Sequence, residues 1–270
     1  MKPSARRLIM NLLAAAADWP LTAGNAVRAC RLFGVSESST RVTLGRLAAE
    51  GLIEARERGV YQLTPHARRM AEDVRGWRHA LKQLKAWKGH WVGVQVAHLG
   101  RSDRAALRRR ERALARTGCR ELERGLYLRP DNLRGGVAAV RERLHQRGLD
   151  ADAMVFGMRE LDDERTARAR TLWDSKRLVA DYRRVRRELS DWLARAHRLE
   201  PEEAAREAFL LGDRAIRQMV FDPLLPAELT DADERRAFFE VLLEYDRRGH
   251  EIWTRLYRNA SGWLELPGEI

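Results

Sequence analysis

Between Gly34 and Thr64 the chain reads GVSESSTRVTLGRLAAEGLIEARERGVYQLT, and no other stretch constrains the fold as tightly. Thr40, Leu44 and Leu47 fall at i, i+4 and i+7, a single helical stripe that Val35 and Leu52 extend at either end as the buried side. The opposite side carries Ser38, Arg41, Val42, Gly45 and Arg46: hydroxyls, guanidinium groups, one methyl-bearing side chain and a glycine. Ser36 is positioned as the N-cap, and Gly51 as the left-handed residue that stops the helix.

Behind this helix, Leu52 to Arg56 and Val60 to Leu63 read as two short strands around the turn Glu57-Arg58-Gly59. Upstream, the stripe of Leu8, Ile9, Leu12 and Leu13 predicts a first helix over Ser4 to Ala17, and Ala23 to Phe33 contains a second. Two supporting helices, a third with a polar outer side and a β-ribbon form the order of a winged helix-turn-helix. In that arrangement the third helix enters the DNA major groove. Arginine can donate two parallel bonds to guanine, and a valine can pack on a thymine methyl group. The candidate DNA contacts are therefore Ser38, Ser39, Arg41, Val42, Thr43 and Arg46, with Arg56 and Arg58 reaching a phosphate or the minor groove from the ribbon tip.

The charge distribution agrees with a polyanionic partner. The 270 residues carry a formal net charge of +12, distributed as 12 Lys and Arg against 7 Asp and Glu through residue 76, 19 against 9 over 77–160, and 20 against 23 from 161 onward. The basic character belongs to the first two regions. Cys30 and Cys119 lie far apart and form no CxxC pair, so neither a disulfide framework nor a zinc site is expected. No apolar run approaches the roughly 20 residues that span a bilayer. The opening MKPSARRLIMNLLAAAADWP imitates a signal peptide, but its small-residue stretch Ala14 to Ala17 belongs to the first helix. A cytoplasmic protein without membrane partners is expected.

From Trp91 the pattern alternates. Trp91 to Ala97 reads as a strand, Asp103 to Arg116 as a helix, Cys119 to Leu122 and Leu126 to Arg129 as strands about Arg124-Gly125, Val137 to Arg147 as a helix, and Ala153 to Met158 as a strand. The order βαββαβ is the ferredoxin-like arrangement, an antiparallel sheet with both helices on one face. Some proteins of that fold are metal-dependent nucleases with an aspartate at the end of the first strand. Here the equivalent stretch is Val96-Ala97-His98-Leu99, and Asp103 lies past the turn, so a hard metal lacks its first ligand. The run RRRER, Arg108 to Arg112, sits within the first helix of this region, where the alternatives are a contact to phosphate or to acids of a neighbouring protomer, and, with equal weight, a plain solvated face.

The last region reads as helical: Ala167 to His197, Pro201 to Val220 and Ala232 to Tyr257, with Leu172, Val179, Leu189 and Trp192 as a core stripe. Between the second and third helices, FDPLLPAEL from Phe221 to Leu229 is too apolar for an idle loop and is expected to cap the helical core or line a pocket. The fold class is thus mainly α with α+β parts: a winged helix over 1–76, a ferredoxin-like domain over 77–160 and a helical domain over 161–270.

Taken in order, SARRLIMNLL, the segment from Gly34 to Thr64, WKGHWVGVQV, LYLRPDNL and DPLLPAEL resemble the PaaX family, the phenylacetic-acid degradation repressors of bacteria. The resemblance covers nearly the whole chain. It implies a homodimeric repressor of a catabolic operon that leaves its double-stranded operator when an aryl-acyl coenzyme A, such as phenylacetyl-CoA, binds. Such an anionic thioester suits arginines beside an apolar pocket, for which Trp173, Tyr182, Arg214, Arg217, Leu224 and Leu225 are candidates. The rival class is an enzyme, a metal-dependent nuclease or a thioesterase. No GxSxG, HExxH, Walker loop or GxGxxG occurs and the seven histidines form no ligand cluster, so no catalytic residue, metal or cofactor is expected. A third reading is a DNA-binding protein that needs no effector.

Overall fold

The computed structural model describes residues 3–15 and 21–258. The chain is mixed α and β, with ten α-helices and two antiparallel sheets among those residues. It divides into two compact units, one of residues 1–77, 190–216 and 243–270, the other of 78–189 and 217–242. No described helix is long and apolar enough to cross a membrane.

The first unit begins with α1 (Ala5–Ala15), β1 (Leu21–Thr22), α2 (Ala23–Arg31), α3 (Glu37–Ala49), β2 (Ile53–Glu57), β3 (Val60–Leu63) and α4 (Pro65–Arg75). The three strands are ordered β1-β3-β2, all antiparallel, and a bulge between Ala55 and Glu57 shortens the ribbon turn to Arg58-Gly59. Leu8, Ile9 and Leu13 of α1 are buried with Ala26, Cys30, Phe33, Leu44, Leu47, Ile53 and Leu63. Leu12 is only half-buried. Burial of each large aliphatic side chain stabilises the unit by about 2 kcal/mol before chain entropy is counted. Ala16 and Ala17, the expected end of the first helix, lie outside the described residues.

β1 and α4 were not anticipated. Thr22 pairs with Val60, and its hydroxyl accepts from Asn25 N at 3.1 Å, so this one residue serves both as the end of β1 and as the N-cap of α2. Thr64 caps α4 by accepting from Ala67 N and donates to the Gly51 carbonyl at 2.8 Å, which ties the ribbon base to the end of α3. Pro65 occupies the first turn of α4, where its missing N–H costs nothing.

The second unit contains β4 (Trp91–Gln95), α5 (Arg104–Arg116), β5 (Arg120–Glu123), β6 (Leu126–Pro130), α6 (Gly136–Gln146) and β7 (Met154–Met158). The order β5-β6-β4-β7 places the first strand of the βαββαβ run beside the third and fourth, all pairs antiparallel. Val92, Val94 and Val155 point to the face where Ala113 and Leu114 of α5 and Val140 and Leu144 of α6 are buried. Trp91, Leu122 and Leu128 point to the opposite face, which packs with Trp87, Ala169, Trp173 and Leu225.

Next come α7 (Asp163–Arg170), α8 (Ser175–Arg195), α9 (Pro201–Val220) and α10 (Ala232–Arg258). The helix expected over Ala167 to His197 is therefore broken at residues 171–174. Trp173 sits in the break, 6 % exposed, stacked on Trp91 at 6.1 Å between centroids and donating to the Gly118 carbonyl. Packing one indole against the sheet overrides helical continuity. The core stripe of α8 is correspondingly Tyr182, Val185, Leu189 and Trp192, while Leu172 and Val179 are only half-buried.

The segment 221–229 packs against the sheet end of its own unit rather than capping helices alone. Gly118, at φ 77°, lets Pro223 approach its backbone closely: a Cβ there would lie only 3.0 Å from Pro223 Cα. Asn132 Nδ2 donates to the Leu224 carbonyl at 2.6 Å. Arg129, 2 % exposed, donates to the Thr117 carbonyl and to Asn132 Oδ1, and burial lowers its pKa to about 10. Two motifs 92 residues apart, LYLRPDNL and DPLLPAEL, are thus joined by one buried polar network. Leu224 takes a left-handed conformation at φ 52°, held by its N–H to Asp222 Oδ1. Asp222 also accepts from the Tyr182 hydroxyl, and burial raises its carboxyl above the usual range.

Candidate nucleic-acid interface

α3 has a buried and an outward side. Thr40, Leu44 and Leu47 are each 1 % exposed or less, and Val35 and Leu52 are half-buried on either side. Ser36 begins the helix by accepting from Ser39 N at 3.2 Å, and Gly51, at φ 67°, follows its end. Thr40 is a buried polar residue that satisfies its hydroxyl locally, donating to the Ser36 carbonyl at 2.9 Å.

The opposite face is outward. Ser38, Ser39, Arg41, Val42 and Arg46 are exposed, Val42 at 53 %. Thr43 is half-buried at the margin and donates to the Ser39 carbonyl at 2.7 Å. At Gly45 a Cβ would meet nothing within 4 Å, so this side of the helix offers backbone to an approaching surface. An exposed valine between two arginines on a helix is unexplained by the protein's own packing, which leaves it without an apolar neighbour to cover it.

Charge on this face is graded. Arg41 pairs with Glu37 one turn earlier at 2.8 Å, and Glu37 lies 3.8 Å from Arg31. Arg46, Arg56 and Arg58 are exposed and make no ion pair among the described residues. β2 is buried only at Ile53; its remaining four residues are exposed, so the ribbon carries Arg56 and Arg58 away from the core. α3 and the ribbon tip together present three uncompensated guanidinium groups, the chemistry that neutralises phosphate and forks onto base edges.

The six effector candidates are placed differently. Trp173, Tyr182 and Leu225 are core residues with polar atoms already bonded. Leu224 is half-buried, and Arg214 and Arg217 are exposed. None of the six lines the open cleft of about 510 Å³ in the second unit, which is bordered by Arg101, Glu121, Leu122, Glu123, Arg124 and Arg168. Trp173 and Tyr182 suited an apolar pocket by residue type, and residue type has no means of separating a core position from a pocket lining.

Asp103 is the N-cap of α5 and accepts from Ala105 and Ala106 N, bonds that hold its carboxyl below the usual range. Both thiols are buried, and burial pushes Cys119 up to about 11 and raises Cys30 as well.

Three comparisons bear on this arrangement. The comparison with curated proteins gives no match. Among solved structures, the chain is similar to the uncharacterized protein Rv0674 from Mycobacterium tuberculosis, with a TM-score of 0.59 over 92 % of this chain and 98 % of that one at 23 % identity, a likeness of fold. Residues 173–255 match the model of the PaaX-like protein C-terminal domain, the region containing α8, α9, the 221–229 segment and most of α10. Over these residues the chain is similar to the PaaX-like C-terminal domain.

Proposed function

We propose that this protein is a sequence-specific DNA-binding repressor of a catabolic operon, acting as a homodimer and released by an aryl-acyl coenzyme A. In this reading residues 1–76 are a winged helix-turn-helix with α3 as the reader and β2-β3 as the wing. Residues 77–160 are a ferredoxin-like domain, and 161–270 carry the regulatory helices of the PaaX-like domain. The strand orders support those assignments, the match of 173–255 supports a PaaX-like regulator, and the effector class is what the resemblance implies.

The observation that carries the reading is the two-sidedness of α3: Leu44 and Leu47 are fully buried, while Arg41, Val42 and Arg46 lie outward beside a glycine. Two such helices in a dimer would enter successive major grooves about 34 Å apart, or a multiple of that. Ser38, Ser39 and Thr43 would stand near the phosphates at the start of the helix, Arg46 at base edges, and Arg56 and Arg58 on the backbone or in the minor groove.

Mobility shift on the promoter DNA flanking the gene tests it. Arg46→Ala is expected to relax sequence preference by about 1 to 3 kcal/mol, whereas Arg58→Ala weakens all sequences alike and flattens the salt dependence by about one unit. Phenylacetyl-CoA is expected to release the parent complex, which requires only that the ligand favour the unbound conformation by about 1 to 3 kcal/mol. If both variants bind as the parent does, α3 is not the reader.

A further inference from the structure

We infer that α5 carries a second polyanion-binding surface, a stripe of Arg104, Arg108 and Arg112 that tracks the sugar-phosphate backbone of duplex DNA. It rests on the proposed function only in taking DNA as the polyanion.

The run RRRER is split by the fold. Arg110 faces inward, 4 % exposed, and forks onto Asp150 through Nε at 2.8 Å and Nη2 at 3.1 Å. Arg108 and Arg112 face outward with Arg104, spaced i, i+4 and i+8, so their stems leave one side of the helix at steps of about 6 Å. That step spans roughly two phosphates of one strand along the duplex axis. Arg109 is exposed at the margin of the same side, and the exposed Ala105 beside Arg104 and Ala115 one turn beyond Arg112 are small, so neither holds a partner off.

The absence of counter-charge makes this more than a solvated face. Arg104, Arg108 and Arg112 make no hydrogen bond or ion pair among the described residues. Glu111 is the one acidic residue in α5, and it sits at the rim of the stripe. Three like charges at helical contact distance repel one another and destabilise the helix slightly. A polyanion converts that repulsion into binding by releasing its condensed counterions. A small anion would need a pocket, and this surface is a straight convex row, which fits a repeating backbone.

The test uses the full chain carrying R104Q/R108Q/R112Q, with anisotropy on a random-sequence 40-base-pair duplex across a salt series. Three lost phosphate contacts should lower the slope of log affinity against log salt by about 2 to 3 units, erasing roughly 40-fold of the gain between 200 and 50 mM salt. R184Q/R195Q/R247Q removes the same charge from paired arginines and should leave the slope unchanged. An equal fall in both variants would make the effect one of net charge and overturn the proposal. An unchanged slope together with a shift in sedimentation mass would assign the stripe to an acidic face of a second protein, and overturn it too. R46A/R58A separates this from the reader: loss of binding there with none in the α5 variant sinks the stripe alone, and the reverse sinks the reader and keeps the stripe.

Discussion

Helices α5 and α8 are both arginine-rich, and they treat arginine in opposite ways. On α8, Arg184 sits between Asp181 at 2.7 Å and Glu188 at 3.3 Å, while Arg183 and Arg186 reach Glu234 of α10 at 3.1 and 3.2 Å. On α5 the outward arginines face solvent alone, and the inward one takes a carboxylate 40 residues away. Arginine content therefore says little about a partner; what matters is whether carboxylates stand at three- and four-residue spacing or across a helix interface. The regional charges, positive over 77–160 and slightly negative beyond 161, are the sequence-level trace of that difference.

The strongest way to break the comparison is at Arg110, the α5 arginine that is structural. Asp150→Asn leaves a buried guanidinium without its counter-charge and is expected to cost about 2 kcal/mol in denaturant unfolding, modest for such a pair because Asp150 keeps part of its carboxylate in water. A loss under about 0.5 kcal/mol, the scatter of surface changes, would mean that Arg110 is no different from its outward neighbours. The pair also has a pH signature. Arg110 holds the Asp150 carboxyl below the usual carboxylate range, so its stabilisation is complete above the unfolded value, near pH 4, and is lost as pH falls through the lower folded value. The asparagine variant should lack this acid-side decline.

How far such distinctions were legible in the sequence depended on where the partner lay. α3 was readable because its cap, stripe and stop are all local: Ser36, Thr40 to Leu47, and Gly51. The βαββαβ elements fall within two residues of their expected ends because alternation and the Gly125 turn are local too. α4 was missed since its buried face is Ala67 and Ala71, small residues that raise no hydropathy peak, although Thr64-Pro65 announces its start. The break at Trp173 and the burial of Arg110 and Arg129 depend on groups 12 to 82 residues away, which no window on the chain contains. For the interface, periodicity separated inside from outside on α3 correctly, with Thr43 at the margin; Arg104 escaped notice because it precedes the arginine run by one turn.

A smaller effect comes from α8. Arg184→Gln removes two half-exposed pairs within one helix, and the expected loss is about 0.5 kcal/mol at low salt, shrinking as salt screens the pair. Unfolding titrations at two ionic strengths read it. A loss that persists at high salt would point to packing of the arginine stem instead of charge.

The smallest expected effect carries the opposite sign. Arg108 has Arg104 one turn before it and Arg112 one turn after, so Arg108→Gln relieves two like-charge contacts at no cost in helix propensity. The variant should gain about 0.3 kcal/mol at low salt and nothing at high salt, measured beside Arg184→Gln under the same conditions. A loss for Arg108→Gln equal to that for Arg184→Gln would mean the stripe already has its counter-charge within the protein. Opposite signs would show that one helix spends its arginines on itself while the other holds them, at a slight cost to its own stability, for something outside.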